Sequence, residues 1–93
     1  MIDRENSRRA VITGMGVKTP AGCDIETFWS RINSGDSCAS KIKGFDASKL
    51  SVDFACEVDN EELNLDKYVN TKDARRLDRF THLGLAAAID AID

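Results

Sequence analysis

Arg8-Arg9-Ala10-Val11-Ile12-Thr13-Gly14-Met15-Gly16-Val17-Lys18-Thr19-Pro20-Ala21-Gly22 is the stretch of the 93-residue chain whose reading decides the fold. A short apolar run, Ala10-Val11-Ile12, leaves a polar beginning and meets two glycines spaced by one residue. Helical signals resume only at Asp24. The order predicts a buried strand over 10–12, a glycine turn, then a helix, the usual opening of an α/β domain. Glycines at 14 and 16 let the backbone bend where a Cβ would clash. The same pattern raises a dinucleotide-binding loop, which needs Gly-x-Gly-x-x-Gly and an acidic residue about 20 positions on. Thr19 stands where the third glycine belongs, Pro20 delays the helix, and no acidic residue closes a second strand at that distance. A small nucleotide-binding protein is the weakest reading of this stretch.

The helix after Asp24 is amphipathic. Asp24 is a good N-cap, Glu26 complements the positive helix start, and Ile25, Phe28, Trp29 and Ile32 fall on one stripe. Phe28 and Trp29 are therefore expected in the core. Gly35 suits the left-handed position past the helix end. Segment 36–70 reads as a loop-rich region, with a turn at Gly44-Phe45-Asp46 anchored by Phe45 and a strand within 52–58. The acidic run 59–66 reads as solvated loop or a short helical turn. A long helix is expected over 71–93, with Leu77 and Phe80 facing inward and an alanine-rich second half that is apolar nearly all round. Such a helix belongs inside a larger protein, so the chain reads as the front of something longer. The divisions are thus a flexible tail at 1–8, strand-turn-helix at 10–35, the loop-rich region at 36–70, and the helix at 71–93.

Composition narrows the class further. Hydrophobic residues make up 42% and charged residues 31%, with a formal net charge of −3, which gives no general attraction to nucleic acid or anionic membranes. No signal peptide or membrane-length apolar run is expected. Three cysteines, Cys23, Cys38 and Cys56, fit neither a disulfide framework nor paired zinc ligands, and imply a reducing, cytoplasmic setting. Cys56 is expected to be a small buried hydrophobe and Cys38 an ordinary loop or core thiol. His82, the single histidine, is expected to be structural and able to pair with Asp78 four residues earlier. Lys72, Arg75, Arg76 and Arg79 recur at i, i+3, i+4 and i+7 and would share one helical face. By itself such a face is solvated and salt-bridged. With a partner, it is an interaction module for an acidic protein.

Arg9 to Val17, then Thr19-Pro20-Ala21-Gly22 and Phe28-Trp29, resemble the N-terminus of β-ketoacyl-[acyl-carrier-protein] synthases, in particular the elongating synthase II group of type II fatty-acid synthesis. The likeness continues in order through Phe45-Asp46-Ala47-Ser48 and Lys72-Asp73-Ala74-Arg75-Arg76-Leu77-Asp78-Arg79-Phe80 into the alanine-rich helix. The resemblance implies an α/β chain forming the N-terminal part of a thiolase-like, layered αβαβα fold, roughly the first quarter of one subunit of a homodimer. It implies decarboxylative Claisen condensation of acyl and malonyl thioesters carried by acyl carrier protein. The family's cysteine nucleophile and two histidines would lie beyond Asp93, so no catalytic residue, cofactor or metal ligand is expected here. Lys72, Arg75 and Arg76 match positions of the family's basic patch that docks the acidic carrier, and Arg79 is a weaker addition. A polyketide ketosynthase or its non-catalytic chain-length factor is the runner-up within the superfamily, because the residues that would separate them are expected downstream.

Overall fold

Asp24 caps the first helix among the described residues. A computed structural model describes residues 8–93, and in it helix α1 spans Ile25–Ser34. The Asp24 carboxylate accepts from the Thr27 backbone N–H at 2.8 Å and from its hydroxyl at 2.9 Å. Gly35 closes the helix in the left-handed region, φ 71°, with its N–H returning to the last turn. Strands β1 (Ala39–Lys41) and β2 (Phe54–Cys56) then form an antiparallel ribbon in which Ala39 faces Cys56 and Lys41 faces Phe54. Helical turn α2 (Asn60–Leu63) is capped by Asp59, whose carboxylate accepts from Glu61 at 2.8 Å. A 3₁₀ turn (Leu65–Lys67), short helix α3 (Thr71–Ala74) and helix α4 (Arg79–Ile92) complete the order.

Several expectations change. The expected tail at 1–8 lies, but for Arg8, outside the described residues. Segment 10–12 pairs with no other strand among the described residues, and Val11 and Ile12 are exposed. A strand needs a ladder partner to be one. Gly14 and Gly16 do not turn the chain either, since the glycines with positive φ are Gly22 and Gly35. They serve close approach instead. A Cβ on Gly14 would collide with the carbonyl oxygen of Ala91, and one on Gly16 with that of Ala87. Two extended residues advance about 6.6 Å and four helical residues about 6 Å, so alternate positions of 14–16 track one face of α4 in the opposite direction. The tight bend lies at Thr19–Gly22, where each residue's N–H bonds the other's carbonyl at 3.0 Å.

The helix expected over 71–93 is two helices. The backbone leaves helical geometry after Arg75 and restarts at Asp78, which is extended at φ −76°, ψ 161°. Two side chains reaching back from α4 stabilise the break. His82 Nε2 lies 2.8 Å from the Ala74 carbonyl at the end of α3, and Arg79 donates to the Val58 carbonyl at 3.2 Å. Phe80 points outward, not inward, and Leu77 is half-buried.

Buried apolar residues are few among those described: Cys23, Leu63 and Ala86, with Val58, Leu65, Tyr68 and Leu83 packed against them, and Ala47 apart. The apolar stripe of α1 is not core within this chain, because Ile25, Trp29 and Ile32 are exposed and Phe28 is only half-buried. Phe45, expected to anchor its turn, is exposed, and Cys56 is exposed where burial was expected. The radius of gyration, 17.6 Å, exceeds the roughly 12 Å of a compact chain this long. The described residues hold a small knot of packing beneath large uncovered apolar faces.

Candidate functional site

The three cations singled out by sequence lie on the α3 turn. Asn70 caps that turn: its side-chain oxygen accepts from the Asp73 N–H at 2.8 Å and its amide donates to the Asp73 carboxylate at 3.0 Å. Arg75 continues the helical backbone at φ −66°, ψ −21°, and the Arg76 N–H bonds the Asp73 carbonyl at 3.1 Å. One turn therefore carries Lys72, Arg75 and Arg76, and all three are exposed. None forms an ion pair among the described residues. Arg79 belongs to α4 and is tied to Val58, so the four-residue helical face expected from spacing does not form.

A four-residue helix that buries none of its side chains cannot hold its own shape. Its position is imposed from both ends. At the exit, the Ala74 carbonyl can only accept, so His82 Nε2 must carry the proton in that bond. This replaces the expected pairing of His82 with Asp78. At the entry, Tyr68 belongs to a polar cluster that local sequence reasoning missed. Lys18 Nζ donates to the Cys23 carbonyl at 2.8 Å, the Tyr68 hydroxyl at 3.0 Å and Asp90 Oδ2 at 2.6 Å. The Tyr68 hydroxyl in turn donates to Asp90 Oδ1 at 2.8 Å.

The chemistry of this cluster is that of a clasp. The Lys18 side chain is only 3% exposed, and its three protons have three acceptors. Burial works against the charge, but hydrogen bonds to Asp90 and Tyr68 outweigh it and raise the ammonium pKa. The hydrogen bond from Lys18 lowers the Asp90 carboxyl, against the opposing effect of burial. A lysine held this way is neither base nor nucleophile. The neighbouring Cys23 thiol is pushed up by burial, which disfavours the reactive thiolate. No three His, Cys, Asp or Glu side chains gather as a metal site among the described residues. The described geometry offers a surface for binding and a scaffold beneath it.

Comparison with known sequences sets the context for that surface. The profile of the β-ketoacyl synthase N-terminal domain matches residues 7–93. The chain belongs to the β-ketoacyl synthase family. Similar relatives are the 3-oxoacyl-[acyl-carrier-protein] synthase 2 of Vibrio harveyi, 39% identical over 88 residues covering 95% of this chain and 21% of the relative. That of Staphylococcus aureus strain COL is 38% identical over 86 residues, covering 92% and 20%. That of Vibrio cholerae is 36% identical over 88 residues, covering 95% and 21%. The chain spans about a fifth of the length of these relatives. Family membership also gives the glycine pair its setting: in this ketoacyl synthase chain Gly14 and Gly16 pack a backbone segment on α4.

Proposed function

We infer that this chain supplies the N-terminal part of an elongating fatty-acid β-ketoacyl-[acyl-carrier-protein] synthase with the layered thiolase-like fold. The complete cytoplasmic, homodimeric enzyme lengthens an acyl chain by decarboxylative Claisen condensation with malonyl-carrier protein. The observation that carries this reading is the collinear likeness of 92–95% of the chain to synthases whose names specify that carrier. The uncovered apolar faces of α1 and of segment 10–12 support it, since the remaining layers of the fold would cover them. Condensation itself belongs to residues outside this chain.

The part assigned to these residues is carrier docking. Lys72, Arg75 and Arg76 stand exposed on one turn without ionic partners among the described residues, free to meet an acidic protein. Such contacts speed encounter and set orientation more than they add affinity. The test is the complete protein with hexanoyl- and malonyl-carrier proteins: a two-carbon-longer 3-oxoacyl product and carbon dioxide are expected. Absence of that product from folded protein would overturn the reading.

A further inference from the structure

The docking cations ride on a turn that cannot position itself. Helix α3 has four residues and no buried side chain, yet the chain is bonded to opposite ends of α4 on either side of it, at Tyr68 before the helix and at Ala74, its last residue. Tyr68, three residues before Thr71, donates to Asp90 Oδ1 at 2.8 Å and receives Lys18 at 3.0 Å. Ala74, the last residue of α3, offers its carbonyl to His82 Nε2 at 2.8 Å. Between these two points the bonds among the described residues are local, led by the Asn70 cap. The geometry points to Tyr68 and His82 as positioning residues that hold the α3 turn at a fixed height and rotation on α4, so that Lys72, Arg75 and Arg76 meet the carrier in one orientation. This inference rests on the docking reading above.

The physical case is one of preorganisation. Lysine and arginine side chains reach far, so a turn that is loose at its base spreads their charges over many directions. A partner must then order the turn as well as bind it, and the lost freedom weakens binding. The two clasps suppress that motion before the partner arrives. Both bonds tie the turn to α4, so their loss should be felt where the carrier is read.

The experiment uses the complete enzyme, with malonyl-carrier protein and malonyl-pantetheine as alternative substrates. Tyr68→Phe keeps the ring and removes the hydroxyl. His82→Leu removes the donor to Ala74, and His82→Gln restores a donor at a similar reach. Loss of one clasp should raise KM for the carrier-linked substrate about fivefold, the scale of one net hydrogen bond. Kinetics with malonyl-pantetheine and kcat with either substrate should stay near wild type, and His82→Gln should stay near wild type throughout. Equal losses with both substrates would mean a general structural role and overturn the inference. So would unchanged carrier KM in Tyr68→Phe and His82→Leu alongside a raised KM when Lys72, Arg75 and Arg76 are reversed to Glu; docking would then stand without its clasps. If that charge reversal also leaves carrier KM unchanged, the docking reading falls and this inference with it. Should His82→Leu fail to fold, Tyr68→Phe alone decides between these outcomes.

Discussion

Lys18 and Asp90 should show the energetic signature of a buried pair: costly to break, cheap to replace. Their contact is 2.6 Å, with side-chain exposures of 3% and 26%. Lys18→Met leaves a carboxylate still held by Tyr68 and still reached by water, so a cost of about 2 kcal/mol is expected, below the usual range for a broken buried pair. Asp90→Leu strands the better-buried ammonium, which keeps only the Cys23 carbonyl and the Tyr68 hydroxyl, and should cost about 3 kcal/mol. The double variant carries no stranded charge. Its remaining penalty is the Tyr68 hydroxyl without its acceptor and the Cys23 carbonyl without the Lys18 donor, the second already lost in Lys18→Met, about 1–2 kcal/mol together. The assay is a double-mutant cycle on the complete protein, read from denaturant midpoints together with amide exchange along α4. The double should be more stable than either single. A double that loses about 5 kcal/mol, the sum of the singles, would refute the reasoning.

The same clasp sets a pH signature. Asp90 titrates lower when folded, so its stabilisation is full above its ordinary value of 3.8 and fades as pH falls through the folded value. Lys18 titrates higher when folded, so its contribution is full below 10.5 and fades as pH rises through the folded value. The stability difference between wild type and the Lys18→Met/Asp90→Leu double should therefore be constant between those limits and shrink outside them, as pH-dependent melts would show. Gly16→Ala forces a Cβ against the Ala87 backbone and should cost about 1–3 kcal/mol in a denaturant melt, with Gly14→Ala similar through Ala91. Cys23, buried with a raised thiol pKa, should resist iodoacetamide in the native protein and label only on unfolding, as peptide mapping would detect.

How much of this was legible depended on distance along the chain. Helix α1 was readable because its signals are local: Asp24 bonds Thr27 three residues away, and Gly35 sits where a left-handed residue ends a helix. The family was readable because its residues recur in order from Arg9 to Phe80. The Lys18 clasp was not, since its side-chain partners Tyr68 and Asp90 lie 50 and 72 positions away and none of these three residues forms a local motif. The break between α3 and α4 lay between these cases. Asp78 is a residue type favoured at helix starts, a signal for a second beginning, but no glycine or proline marks the interruption. The contacts that stabilise it, His82 to Ala74 and Arg79 to Val58, are tertiary. The glycine pair illustrates a different limit: spacing showed that side chains were excluded, and only the position of α4 showed what excluded them.

The most direct test of the central claim is the steady-state dependence of condensation on malonyl-carrier concentration, comparing the wild-type complete protein with the Lys72→Glu/Arg75→Glu/Arg76→Glu variant at low and at high salt. A ketoacyl synthase that reads its carrier through this turn should show a KM raised about tenfold or more at low salt, with the gap narrowing as salt screens the wild-type contacts. Identical KM values at both salt concentrations would contradict it.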